Sequence, residues 1–281
     1  MKTGSKKELQ AYLQELADCK KSRKDASVGL VPTMGALHDG HKALIKKSQE
    51  LAKETIVSLF VNPLQFSQEE DFTIYPRNFT ADFEFCQRLG VNFLFVPSIE
   101  DLYPVELEKQ DSLTKVQPDR QLADCLCGKL RPRLFSGALT IVLKLLNLTK
   151  SDFVFFGEKD YQQLLLVQKM IADFELKSKL IGVKTVRDSS GLALSSRNSY
   201  LDFATREKAL LLFETLQKSK KLAQERKIAF SEIKQLLEQE NFEYFEARDN
   251  LTLELRQRPP FRIFIAARIA QVRLIDNILV E

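Results

Sequence analysis

Histidine is nearly missing from this chain: 281 residues contain two, His38 and His41, three positions apart. A zinc site built on imidazoles therefore lacks its third ligand and would need carboxylates for the rest. The four cysteines, Cys19, Cys86, Cys125 and Cys127, show no CxxC spacing and no histidine beside them. They read as reduced thiols with no ligand role, and a one-residue gap between Cys125 and Cys127 suits an ordinary disulfide poorly. No apolar run approaches the ~20 residues that span a bilayer. The opening segment has no apolar core of the secretory kind, so a cytoplasmic protein without a membrane partner is expected. Charge of one sign is also lacking: 42 basic against 38 acidic residues leave +4, with no block of five basic side chains. Nucleic acid is not an expected partner. Also missing are the GxxxxGK[ST] phosphate loop, the GxGxxG dinucleotide turn and the GxSxG nucleophile elbow. If a nucleotide is handled, other machinery handles it.

What is present suits a folded chain of about two domains, with 44% apolar and 28% charged residues. A helix is expected over Lys6–Lys20 and a buried strand over Val28–Val31, followed by a Gly-punctuated loop to Gly40 and a helix from His41. Further strands are expected over Thr55–Val61, Asn92–Val96 and Asp152–Phe156, with helices over Phe79–Leu89 and on to about Asp173. Strands alternating with helices imply an α/β parallel sheet, whose ligands bind beyond the carboxyl ends of the strands. Three polar stretches follow strands directly: Thr33–His41, Asn62–Gln65 and Gly157–Asp160. Past about residue 180 the pattern changes to a strand over Val183–Arg187, helices over Ala204–Arg226 and Ser231–Glu240, and strands near Phe242–Ala247, Arg262–Ala267 and Gln271–Ile275. This reads as a smaller C-terminal α+β domain, dividing the chain into 1–182 and 183–281.

His38-Asp39-Gly40-His41 stands where a helix begins. Free N–H groups and a partial positive charge there suit phosphate, and two imidazoles can donate to its oxygens. A pair of capping or surface histidines is the plainer reading. Gly157-Glu158-Lys159-Asp160 offers a point charge for phosphate and a carboxylate for ribose hydroxyls, or else a loop in which Asp160 caps the next helix. Ser195-Ser196-Arg197-Asn198 combines hydroxyls and a guanidinium suited to a triphosphate, or forms a capped turn. Asn62, Gln65, Gln162 and Gln163 supply neutral amides able to hold a hydroxy acid, or face solvent.

Taken together, Val31-Pro-Thr-Met-Gly-Ala-Leu-His-Asp-Gly-His41, Val61-Asn-Pro-Leu-Gln-Phe66, Tyr75-Pro-Arg77, Phe156-Gly-Glu-Lys-Asp-Tyr-Gln-Gln163 and Ser195-Ser-Arg-Asn198 resemble the pantoate–β-alanine ligase family. Ala266-Ala-Arg268 and Arg273-Leu-Ile-Asp-Asn277 are similar too, in order over nearly the whole chain. The resemblance implies a Rossmann-like nucleotidyltransferase domain with a C-terminal lid, a homodimer, and the substrates ATP with Mg²⁺, pantoate and β-alanine. It implies pantoyl adenylate as intermediate and pantothenate, AMP and pyrophosphate as products. By matched position it gives His38, His41, Lys159, Ser195, Ser196 and Arg197 to catalysis on the phosphates. Pro32, Thr33, Met34, Gly40, Gly157, Asp160 and Val186 fall to ATP, Asn62, Gln65 and Gln163 to pantoate, and Asp82 to the neighbourhood of Mg²⁺.

One stretch departs from the family. Where the family has a run like R-P-G-H-F-x-G-V, this chain has Arg131-Pro-Arg-Leu-Phe-Ser-Gly-Ala138, so Arg133 and Leu134 replace a glycine and a histidine. A changed loop beside the pantoate pocket is expected, with activity retained. Two other functions fit parts of the sequence: a nucleotidyltransferase acting on a phosphorylated acceptor, and a nucleotide-binding regulator without catalysis. Neutral Asn62, Gln65 and Gln163 speak against the first; AMP production separates the second.

Overall fold

A computed structural model of the chain describes residues 1–20, 27–66, 72–103, 112–237 and 242–281. The first sheet contains β1 (Lys2–Gly4), β2 (Val28–Thr33), β3 (Glu54–Leu59), β4 (Phe93–Phe95), β5 (Phe153–Gly157) and β6 (Lys179–Val183). Its order is β1-β4-β3-β2-β5-β6 with every pair parallel. Between the strands run α1 (Lys6–Lys20), α2 (Asp39–Leu51), α3 (Phe79–Arg88), three short turns α4 (Ile99–Leu102), α5 (Arg120–Ala123) and α6 (Leu126–Leu130), then α7 (Leu134–Thr149) and α8 (Tyr161–Asp173).

Both sheet faces are covered, as a parallel sheet requires. Side chains alternate across it. Val31, Val57, Leu94 and Phe155 join Leu44, Ile45 and Cys86 on one side. Their neighbours Leu30, Ile56, Phe93 and Val154 join Leu139, Val142, Leu166 and Val167 on the other. The four central strands, β2 to β5, are thus apolar on both faces, which is why they read as apolar runs.

The remaining part contains α9 (Phe203–Arg226), α10 (Phe230–Leu236) and the antiparallel strands β7 (Tyr244–Arg248), β8 (Phe261–Ile269) and β9 (Val272–Val280), ordered β7-β8-β9. Leu192, Leu212, Leu216, Phe245, Ile263 and Ile265 form its apolar centre. Phe264 and Leu253 instead pack into the cluster of the first sheet. The fold is an α/β parallel sheet with a smaller α+β part, as expected.

Several elements fall elsewhere than expected. The strand read at Val183–Arg187 lies earlier, at Lys179–Val183, where Gly182 interrupts the apolar run. Residues 184–194 leave the sheet and turn back on themselves through a bridge between Arg187 and Ala193. Helix α2 begins at Asp39, two residues before His41. Strand β9 runs on to Val280, and α10 spans Phe230–Leu236; residues 238–240 of the expected helix lie outside the described residues. Of the segment expected to be a loop at 131–138, residues 131–133 join α6 to α7 and the rest is the first part of α7. Arg133 stands there at φ −87°, ψ −16°, so no glycine is required and the arginine fits without strain.

Candidate active site

The sheet order places a switch point at β2: the chain proceeds from β2 to β3 on one side, and β5 returns on the other. The loops leaving β2 and β5 therefore diverge over a crevice, the usual ligand site of such sheets. A cavity of about 880 Å³ opens there. Pro32, Thr33, Met34, His38, Gly40, His41, Gln65, Gly157, Lys159, Asp160, Gln163, Val186, Ser195, Ser196 and Arg197 all line it. Stretches read separately in the sequence thus meet in one place.

The two histidines cap α2 reciprocally. The Gly40 amide donates to His38 Nδ1 (3.1 Å) and the His38 amide donates to His41 Nδ1 (3.2 Å). Because each Nδ1 accepts, the proton of a neutral ring resides on Nε2. The plainer capping role is therefore real, and it leaves each ring with one donor. A Cβ at Gly40 would stand 2.7 Å from His38 Cε1, so only glycine lets the ring fold down over the helix start. The rings lie 4.1 Å apart between centroids.

Burial pulls His38 down from 6.5 to about 4, and the Lys159 ammonium adds to the effect. His41 is held well below its ordinary value by burial, by His38 and by Lys159. Both are thus neutral donors at pH 7. Since the unfolded chain binds these protons near pH 6.5 and the folded one only near pH 4 or below, stability is full above about 6.5 and is lost as the pH falls through that window. With only two histidines present, an imidazole NMR titration is unambiguous: both rings should keep neutral shifts at pH 5.5. A midpoint near 6.5 for either would contradict this electrostatic picture.

Lys159 follows β5 with its side chain 17% exposed, and its Nζ is 3.8 Å from Asp160 Oδ1. Asp160 makes no capping bond to α8, so that alternative does not hold. A Cβ at Gly157 would meet nothing within 4 Å, so the chain itself gives no steric reason for glycine there. In the 195–197 turn, Ser195 accepts from the Arg197 amide (3.3 Å) and Ser196 donates to Ala36 O (3.0 Å), tying this turn to the loop after β2. The Arg197 guanidinium lies over Tyr75 at 5.4 Å.

Two amides and one acid occupy places other than those expected. Asn62 is 1% exposed and does not line the cavity. Its Oδ1 accepts from Tyr103 Oη (2.8 Å) and from the Leu64 amide (3.3 Å), while Nδ2 donates to Gln65 Oε1 and Gly137 O (3.0 Å each). Asn62 therefore orients Gln65, whose Oε1 is engaged and whose Nε2 remains the donor. A Cβ at Gly137 would stand 2.2 Å from Leu64 O, so glycine allows α7 to approach this turn. Gln162 turns inward, accepting from the Cys127 amide and donating to Leu122 and Cys125 carbonyls, and fixes the 122–127 segment. Gln162 and Gln163 both line the cavity, Gln162 with its amide committed to these backbone bonds.

Asp82 is 4% exposed and accepts from the amides of Ala36 (2.9 Å) and Leu37 (2.7 Å). Burial raises its pKa, against the pull of those two bonds. Each oxygen holds the loop that leads to His38, and Asp82 is not among the residues that line the cavity. Among the described residues, no group of three His, Cys, Asp or Glu side chains is arranged to hold a metal ion. The sequence reading also missed Arg262, Asp276 and Asn277 of the C-terminal sheet, and Arg187 of the 184–194 turn, which brace this site.

The chain matches the Pantoate-beta-alanine ligase family model over residues 3–279. It is 41% identical over 286 residues to the pantothenate synthetase of Coprothermobacter proteolyticus, covering 98% of each chain. The crystal structure of pantothenate synthetase from Thermus thermophilus superposes with a TM-score of 0.88 at 36% identity, over 99% of both chains. That of the pantoate-beta-alanine ligase from Francisella tularensis, solved in complex with β,γ-ATP and β-alanine, gives 0.81 at 36% identity, covering 99% of this chain and 97% of that one. An all-parallel sheet with a histidine-capped helix at its switch point, in a chain matched from end to end, belongs to the pantoate–β-alanine ligase family.

Proposed function

We propose that the switch-point cavity binds ATP and pantoate side by side and carries out both halves of the family's reaction. The chain is an AMP-forming ligase that condenses pantoate with β-alanine to give pantothenate. In the first half, a pantoate carboxylate oxygen attacks the α-phosphorus of ATP, and the bond to the bridging oxygen breaks as pyrophosphate leaves. In the second, the β-alanine amine attacks the activated carbonyl carbon and AMP departs. A carboxylate is already ionised at neutral pH, so the first half needs no general base. Catalysis then rests on alignment of the reactants and on donors aimed at the phosphates.

The observation that carries this reading is that Lys159, His38, His41 and the 195–197 turn line one cavity together with Gln65 and Gln163. Lys159 with His38, His41, Ser195, Ser196 and Arg197 is assigned to the phosphates. Pro32, Thr33, Met34, Gly40, Gly157, Asp160 and Val186 are assigned to the nucleoside. The open space over Gly157 supports that placement. Gln65 and Gln163 are assigned to pantoate, with Asn62 behind Gln65. Leu134, Ala138, Ile141 and Val142 give that pocket an apolar wall suited to the branched end of pantoate. Magnesium enters as part of the substrate MgATP, with no residue assigned to it. The same reading makes the protein a cytoplasmic homodimer of two-domain subunits, divided near residue 183, on the strength of its family membership.

AMP formation from MgATP, with pantoate and β-alanine omitted in turn, tests the reading. AMP is expected only with both substrates present. Turnover driven by a phosphate monoester, or nucleotide binding with no AMP under any combination, would overturn it.

A further inference from the structure

The last strand, β9, carries two adjacent buried polar residues where the C-terminal sheet meets the cavity: Asp276 and Asn277, each 4% exposed. The Asn277 Nδ2 gives one hydrogen to Glu158 O and the other to Lys159 O, both at 2.9 Å. Its Oδ1 accepts from Arg262 Nη1 at 2.5 Å. Arg262 is itself fixed: Nε donates to Asn250 Oδ1 (2.9 Å), Nη2 stands 3.7 Å from Glu158 Oε2, and the guanidinium stacks 3.7 Å from the Tyr161 ring centroid. Asp276 receives Arg187 in a two-pronged pair at 2.6 and 2.9 Å. Arg187 also donates to Gly191 O (3.1 Å) and lies over Phe213. One dipeptide therefore grips the backbone that carries Lys159 and, through Arg187, the hairpin that leads into Ser195–Arg197.

These two segments come from different parts of the chain. Lys159 follows a strand of the parallel sheet, while the 187–194 hairpin precedes the C-terminal helices. Nothing in local sequence sets their separation; β9 does. A short 3₁₀ turn such as Glu158–Asp160 has few backbone bonds of its own, so its carbonyls need outside donors. A carboxamide with both hydrogens committed holds that turn in one orientation.

We infer that Asn277 is a positioning residue for adenylation: it fixes the Lys159 backbone so that Nζ meets the phosphates already aligned, and Asp276 keeps the 195–197 turn at matching distance. This rests on the assignment of Lys159 to the ATP phosphates. A donor displaced by about 1 Å costs on the order of 100-fold in rate. Loss of the carboxamide should act on kcat for pyrophosphate release, with little change in the KM for ATP. The second half-reaction, after pyrophosphate has left, should be nearly indifferent.

The test is a double-mutant cycle on Asn277→Ala and Lys159→Ala, measuring pyrophosphate release in the first half-reaction and pantothenate formation from prepared pantoyl adenylate in the second. Asn277→Ala is expected to slow the first by roughly 10- to 100-fold and the second by less than about threefold. In the Lys159→Ala background it should add less than about twofold, because its effect passes through that side chain. Equal losses in both half-reactions, or full additivity with Lys159→Ala, would show a merely structural role and overturn the inference. So would an Asn277→Ala enzyme with unchanged adenylation. If Lys159→Ala itself adenylates normally, the assignment of Lys159 fails instead, which is a separate result. Should Asn277→Ala not fold, Asn277→Ser, which retains one donor, enters the same cycle.

Discussion

Replacing Lys159 by alanine is expected to lower the rate of pyrophosphate release by ~10²–10³-fold, the scale for one preorganised donor at a site of developing charge. Negative charge builds on the departing pyrophosphate as the bond to the α-phosphorus breaks. Lys159 has the means to meet it: its side chain is 17% exposed, so water screens it little. The neighbouring imidazoles do not substitute, because burial, the larger cause of their lowered values, keeps both neutral without Lys159. The deficit should appear in kcat, with the KM for ATP changed far less, since the added charge arises in the transition state. Lys159→Arg should recover only part of the loss, because a planar guanidinium does not reproduce a compact ammonium. Removing the ammonium also relieves both histidines, so their NMR midpoints should rise in Lys159→Ala. Near wild-type adenylation in that variant would remove Lys159 from the phosphates.

The loops that carry this chemistry were legible because each follows a short apolar run and contains punctuation only a turn tolerates. Gly35 in the loop after β2 and Gly157 at the end of β5 mark strand ends, and placing them at one end of a parallel sheet follows from the alternation of strands and helices. Helix α7 was illegible for the opposite reason. Ten of its sixteen residues are buried, Phe135, Leu139, Val142 and Leu146 among them, so no polar stripe marks a helical period. Asn62 and Gln162 look like their neighbours Gln65 and Gln163 in sequence, and only packing committed the first two amides to backbone groups. The brace from β9 was beyond reach altogether. Asn277 acts on Lys159 from 118 residues away, and nothing near either residue announces the partnership. What was written locally could be read; what depends on two distant segments meeting could not.

Asp82→Asn is expected to reduce adenylation by roughly 10- to 100-fold with the same substrate preference, and raising Mg²⁺ is not expected to restore it. In the folded chain the two carboxylate oxygens accept from the amides of Ala36 and Leu37. An asparagine of the same shape keeps one acceptor and turns an NH₂ toward the other amide, leaving a buried donor unsatisfied at a cost of about 1–3 kcal/mol. The loop is poorly able to absorb that. Ala36 sits at φ +50°, a left-handed conformation disfavoured for alanine by about 1–2 kcal/mol and held here by the Asp82 bond. Gly35 beside it packs against the same carboxylate, where an added Cβ would stand 3.0 Å from Asp82 Oδ2. Once the acceptor is lost, the loop relaxes, and His38 stands directly after Leu37, so the displacement reaches the capped start of α2. Two measurements distinguish this from a role as a metal ligand. A ligand's loss weakens Mg²⁺ binding and is relieved by excess metal, whereas a misplaced loop gives the same deficit at every Mg²⁺ concentration. The imidazole signals report the loop independently: in Asp82→Asn the His38 midpoint should climb from about 4 toward 6.5 as the ring gains water. Recovery at high Mg²⁺ with His38 unmoved would return Asp82 to the metal.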